Sequence, residues 1–303
     1  MTPVILGLLA LLLAGPVPVL LARAQWPHRV PRAAIVLWQA LALAAVLAAL
    51  GAGLSLGSEL ILQPELGPLE IALYTLVTVL TCVVAGRLFW ATVKVAVRTR
   101  ARRRRHRELV DLLARHLPAT GVAGVSVPNI RVLAERTPLA YCLPGVRGSR
   151  VVVSEGALER LRPEELAGVL THELAHVRAR HDLVVEAFTA LREAFPSFVR
   201  LRMPLEQNQL LIEMLADDAA RRRVGAAPVT RALVTLATAS APAGGLAAAA
   251  NGTLLPRVRR LAEPASPHRL LSAVTYLTAA AIVTVPTVTV ALPWLIRLAD
   301  ALA

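Results

Sequence analysis

Four long apolar stretches set the pattern of this chain: Val4 to Leu21, Ala33 to Leu56, Ile71 to about Val93, and Leu270 to Ile296. Each reaches or nearly reaches the roughly 20 residues that cross a bilayer as helix. Three of them precede a polar middle and one follows it. Within that middle, short β-type runs cover Ile130–Ala134, Leu139–Leu143 and Arg150–Ser154. Pro144-Gly145 and Arg147-Gly148 mark a turn, so the last two runs read as a hairpin. Helical spacing covers Glu108 to His116, with Leu109, Leu112 and Leu113 on one side, and resumes at Ser154. Pro163 suits the first helical position, with Glu164 and Glu165 favouring a start there. From Leu183 to Leu201 apolar Val184, Ala187, Phe188, Leu191, Phe195 and Phe198 repeat opposite Glu186, Arg192, Glu193 and Arg200, which predicts an amphipathic helix and not a span. A further helix is expected from about Leu205 to Arg223, and Ala243–Asn251 reads as a connector. The expected fold is a membrane α-helical one, four transmembrane helices with a mostly helical cytosolic domain and a small β-sheet. The expected division is 1–97 with three membrane helices (about 4–21, 33–56 and 71–93), 98–268 as the soluble domain, and 269–303 as the fourth helix and a short outer tail.

Composition supports this. Hydrophobic residues make up 56% of the 303, which excludes disorder and collagen as the main theme. The net charge of +13 is unevenly spread: residues 94–107 hold eight basic side chains and no acid. The Arg98–Arg107 run lacks interleaved aromatics and abuts a membrane helix, so it reads as a topology anchor touching anionic lipid, with no direct role for nucleic acid. Arg23, Arg29 and Arg32 occupy the first loop, and Glu59, Glu65 and Glu70 the second. The positive-inside rule then places the N-terminus outside, residues 98–269 in the cytosol and the C-terminus outside, in a multi-pass cell-membrane protein. Ala22-Arg23-Ala24 resembles a signal-cleavage site, but Met1-Thr2-Pro3 offers no basic n-region, so the first helix reads as retained. Cys82 and Cys142 lie in unlike surroundings and suggest no disulfide.

The chemistry lies in Thr171-His172-Glu173-Leu174-Ala175-His176. Histidines at i and i+4 share a helical face, so both imidazoles reach one ion, and Zn²⁺ takes imidazole nitrogen readily. Glu173 can take a proton from the attacking water and pass it to the leaving amine. A catalytic zinc needs a third protein ligand, and Glu213-Met214-Leu215-Ala216-Asp217-Asp218 supplies candidates at the same spacing. Glu213 completes a His₂Glu set for one Zn²⁺ per chain, and Asp217 fixes the far nitrogen of a ligand histidine. Asp218 reads as an ordinary surface acid, and His181 as a neighbour of the site or a solvated side chain with no metal role. Cys142 reads as packed and not nucleophilic. Gly51, Gly53 and Gly57 allow close helix contact or simply end the second span.

His172 to Asp182 followed by Glu213 to Asp218 resembles the BlaR1/MecR1-like membrane metallopeptidases, family M56. A looser resemblance is to family M48, the HtpX-like and CAAX-protease enzymes, which shares both motifs. The amphipathic 183–201 segment, the three-plus-one arrangement of helices and the basic Pro256-Arg257-Val258-Arg259-Arg260-Leu261 segment steer the reading to M56. The family's antibiotic receptors carry an extracellular penicillin-binding domain after the last helix. This chain ends at Ala303, so β-lactam sensing is not carried over. The resemblance implies a gluzincin-type endopeptidase acting on a cytosolic protein, such as a BlaI/MecI-like repressor. It also implies that the Leu139–Leu143 strand is an exposed edge where Leu139, Ala140 and Tyr141 meet substrate. The alternatives are an M48-type quality-control or processing protease and a catalytically silent receptor or scaffold.

Overall fold

The computed structural model describes residues 1–63, 65–116, 124, 125, 129–145, 149–195, 203–240, 253–264 and 266–302. The expected turn at Arg147-Gly148, the end of the amphipathic segment with Phe198 and Arg200, and the Ala243–Asn251 connector lie outside the described residues. The protein is mostly helical, with four helical runs long and apolar enough to cross a membrane and one small sheet. It folds as two units. One comprises Met1–Lys94, Phe188–Gln207 and His268–Ala303, the other Val95–Ala187 and Asn208–Pro267.

The first span is α1 (Thr2–Ala14) and α2 (Pro16–Arg23), interrupted where Pro16 removes a backbone donor after Gly15. α3 (Pro31–Leu62) starts on a proline at its first turn, where the missing N–H costs nothing. α4 (Pro68–Leu113) is one uninterrupted helix. This corrects the separate helix expected over Glu108–His116. The Arg98–Arg107 run holds no Gly or Pro and arginine is a good helix former, so the span continues through it. Leu109, Leu112 and Leu113 are exposed, and Val110 is the residue that turns inward. Gly53 and Gly57 of α3 give the hydroxyl sides of Thr81 and Thr78 of α4 room that a Cβ would fill. Those hydroxyls donate to the carbonyls of Val77 and Tyr74 in their own helix, so neither hydroxyl is stranded.

The other unit is built on strands β1 (Arg115–His116), β2 (Ile130–Leu133), β3 (Ala140–Leu143) and β4 (Arg150–Ser154), in the order β1-β2-β4-β3. β3 and β4 form the expected antiparallel hairpin, with Ala140 opposite Val153, while β2 runs parallel to β4. β3 is therefore an edge. The Leu139 carbonyl accepts from the Ser154 N–H, so by the two-residue alternation the main-chain groups of Ala140 and Cys142 point off the free edge.

Helices follow: α5 (Glu155–Arg160), α6 (Pro163–Arg178), α7 (His181–Ala194), α8 (Met203–Val224), α9 (Ala226–Ser240) and α10 (Leu255–Ala262). α6 begins as anticipated, on Pro163, with the Glu165 carboxylate accepting the Arg162 N–H. Ile130, Val132, Val151 and Val153 on one sheet face pack on Leu166, Val169 and Leu170 of α6 and Ala232 of α9. Val152 and Leu143 on the other face cover Val110. Burying each such side chain contributes about 1.5–3 kcal/mol, and this packing fixes α6 against the sheet.

The fourth span comprises α11 (Arg269–Pro286), a wide turn over Thr287–Ala291 and α12 (Leu292–Leu302). Pro286 and Pro293 each remove a helical donor on either side of that turn.

Candidate metal centre

Two helices supply the three donors expected from the sequence. His172 and His176 lie one turn apart on α6, and Glu213 reaches them from α8. The His172 and His176 Nε2 atoms are 3.1 Å apart, and Glu213 oxygens lie 3.4 Å from the first and 3.5 Å from the second. An ion at the usual zinc–nitrogen distance of about 2.0–2.1 Å, in tetrahedral geometry, separates its ligands by roughly 3.3 Å. Two neutral-capable imidazoles and one carboxylate at these spacings fit zinc. Among the described residues no other group of three donors does so.

The far nitrogens are also held. His172 Nδ1 lies 3.0 Å from Asp217 Oδ1, as expected for a carboxylate that fixes the tautomer. His176 Nδ1 lies 3.1 Å from His181 Nδ1. His181 is only 6% exposed, so of the two expected placements the structure selects the neighbour of the site. α6 ends at Arg178, Arg180 takes a left-handed φ of 51°, and the chain turns His181 back onto His176.

Glu173 is half-buried and lies near Cys142 of the edge strand, whose neighbourhood bears on its charge. Burial, with the Glu213 charge adding, raises its pKa above the ordinary carboxylate value. Burial and then the Glu173 charge push the Cys142 thiol up to about 12, so it stays protonated and is no nucleophile, as expected. Burial alone would lower His172, but Asp217 and Glu213 outweigh it and hold the imidazole at about 9. Burial drops His176 to about 4, against the pull of Glu213. Glu213 resists the upward push of burial and sits at about 2 through His172 and Arg257.

Arg257 of α10 is the residue that sequence reasoning missed. Its guanidinium forks onto both Asp217 oxygens at 2.7 and 2.8 Å and reaches Glu213 Oε2 at 3.0 Å. Its only sequence signal was the basic segment Pro256–Leu261, which carries no periodicity pointing at α8. Asp218 is corrected in the same way: it pairs with Arg260 at 2.7 Å and is no ordinary surface acid. Beside the cluster lies a cavity of about 320 Å³, walled by Val169, Val229, Leu233 and Leu236 and reached by His172, Glu173 and Glu213. The three proposed substrate residues divide. Leu139 and Tyr141 turn their main chains into the sheet, Ala140 turns outward, and the Tyr141 hydroxyl meets His106 Nε2 at 3.0 Å on the face away from α6.

Comparison with known proteins corrects the M56 resemblance. Residues 101–260 match the family profile of peptidase family M48. The chain is 41% identical over 63 residues to Protease HtpX of Legionella pneumophila (strain Corby), covering 20% of this chain and 22% of the relative. It is 41% identical over 63 residues to a Protease HtpX homolog of Desulfatibacillum aliphaticivorans, covering 20% of each. A Protease HtpX homolog of Methanocaldococcus jannaschii is 35% identical over 69 residues, covering 22% of this chain and 24% of its own. The matched segment thus spans about a fifth to a quarter of these relatives' length. No solved structure matches the chain. The features that favoured M56 were the amphipathic 183–201 segment, the arrangement of apolar helices and a basic segment, which hydrophobicity and charge produce in other families as well. The residues with chemical content were common to both readings, and the M48 match runs through all of them. Extending over more than half of the 303 residues, it shows that the chain belongs to peptidase family M48.

Proposed function

We propose that this protein is a membrane-integrated zinc endopeptidase that hydrolyses peptide bonds of protein substrates on the cytosolic face. The observation that carries the reading is the spacing of His172, His176 and Glu213, which suits a tetrahedral ion, beside a half-buried Glu173. Processing or quality-control proteolysis fits M48 membership and the protease names of the relatives. The repressor substrate drew its support from M56 and loses it.

Zinc, held by the two imidazoles and Glu213, would polarise the scissile carbonyl and acidify water. Glu173 accepts the proton of the attacking water at its carboxylate and delivers it to the departing amine. Its raised pKa makes it the stronger base. The outward main-chain groups of Ala140 align an extended peptide by strand addition. The apolar wall of the cavity takes a substrate side chain.

The test is proteolysis by the full chain in detergent or liposomes, with a denatured protein as substrate. Glu173→Gln keeps the shape of the side chain and removes the base. The expected result is a loss of at least about 10²-fold in cleavage, as for other removed acid–base groups, with zinc content unchanged. Undiminished cleavage by that variant would remove Glu173 from the mechanism.

A further inference from the structure

We propose that Arg257 is a positioning residue for the metal, orienting two of the side chains that hold it from a helix that contributes no ligand. The inference rests on the zinc reading above. All three guanidinium nitrogens are engaged: Nε and Nη2 on Asp217, Nη1 on Glu213 Oε2. Asp217 Oδ1, which accepts from Nη2, is also the atom beside His172 Nδ1. Two lines therefore run from Arg257 to the ion. One passes through Asp217 and His172, and the other directly through Glu213.

The burial makes this arrangement consequential. The Arg257 side chain is 11% exposed and that of Asp217 2%. At such a site a charge-assisted fork is short, directional and poorly replaced by water. Lysine's three donors radiate from one nitrogen, so it cannot reproduce the planar fork on Asp217 that leaves a further N–H aimed at Glu213. Hydrogen-bonding partners outside the ligand shell set ligand orientation, and their loss weakens metal affinity by about 10–100-fold.

Two rival accounts use the same contacts. In one, Arg257 only ties α10 to α8. In the other, its charge competes with the metal for Glu213. The protein contains its own control. Arg260 joins the same two helices through Asp218, at 2.7 Å, without touching a metal donor. A tying role is shared by both arginines, and a positioning role belongs to Arg257 alone.

The experiment measures zinc affinity of the full chain in detergent, by competition with a chromophoric chelator. It compares wild type, Arg257→Ala, Arg257→Lys, Arg260→Ala and Glu213→Ala. Melting temperatures of the zinc-free forms are recorded in parallel. Arg257→Ala is expected to bind zinc about 10–100-fold more weakly, Arg257→Lys to recover little of that loss, and Arg260→Ala to stay close to wild type even where its melting temperature falls. Equal weakening in Arg257→Ala and Arg260→Ala would reduce the contact to packing and overturn the proposal. So would unchanged or tighter binding in Arg257→Ala. If the alanine variant fails to fold, wild-type affinity in Arg257→Lys overturns it. Absence of stoichiometric zinc from the wild type would instead defeat the metal reading itself.

Discussion

Asp217 and His181 touch the far side of the candidate donor set. Each meets the Nδ1 atom of one histidine of the cluster, which leaves the Nε2 atoms facing Glu213 and would fix the tautomer that binds a metal. Asp217→Ala is expected to lower zinc affinity about 10–100-fold, measured by chelator competition, while far-ultraviolet circular dichroism stays unchanged. Wild-type affinity in that variant would show that His172 is oriented by something else. At this scale the sequence was informative where the geometry is local. His172 with His176, and Glu213 with Asp217, are i,i+4 pairs, and a helix brings such pairs onto one face without help from tertiary structure. It was uninformative where a contact bridges distant segments. Arg257 lies 40 residues from Asp217, and one basic residue among several gave no sign of its partner. His181 fell off the helical face in sequence, and a single left-handed residue, Arg180, brought it back.

At the scale of elements, each secondary structure places one part of the site. The α6 start depends on Glu165, which is 5% exposed. Burial works against its charge, but the Arg231 hydrogen bond and the Arg162 N–H prevail and lower its pKa below 4.5. A depressed carboxylate stabilises the fold above its unfolded pKa, and that stability is lost as pH falls through the folded value. Glu165→Gln is therefore expected to melt below wild type at neutral pH, with the gap closing as pH drops below 4.5. A gap that does not change with pH would deny the charge a role. On the edge strand, Ala140→Pro removes an outward N–H without breaking the β3–β4 ladder. Cleavage should fall at least about tenfold, roughly 1.4 kcal/mol or about one good hydrogen bond, with zinc retained. Unchanged cleavage would place the substrate elsewhere. The hairpin, α6 and the amphipathic start of α7 were all legible from alternation and spacing. The end of α4 was not, because a basic run looks like a boundary by charge while its backbone propensity favours helix.

For the whole molecule, hydrophobicity fixed the number of spans correctly and misled on the family. Apolar helix count follows from the bilayer's thickness, which every membrane protein shares. Loop charge predicts the orientation. A reporter that works only in the cytosol is expected to be active when fused near Arg107 and silent when fused at Ala303, and the reverse pattern would overturn the placement of the catalytic unit. The central claim is that this unit is built around one zinc ion. The most direct measurement is zinc per chain in purified full-length protein. One zinc is expected in the wild type and in Glu173→Gln, and little or none in His172→Ala and Glu213→Ala. Full zinc occupancy in His172→Ala would contradict that claim.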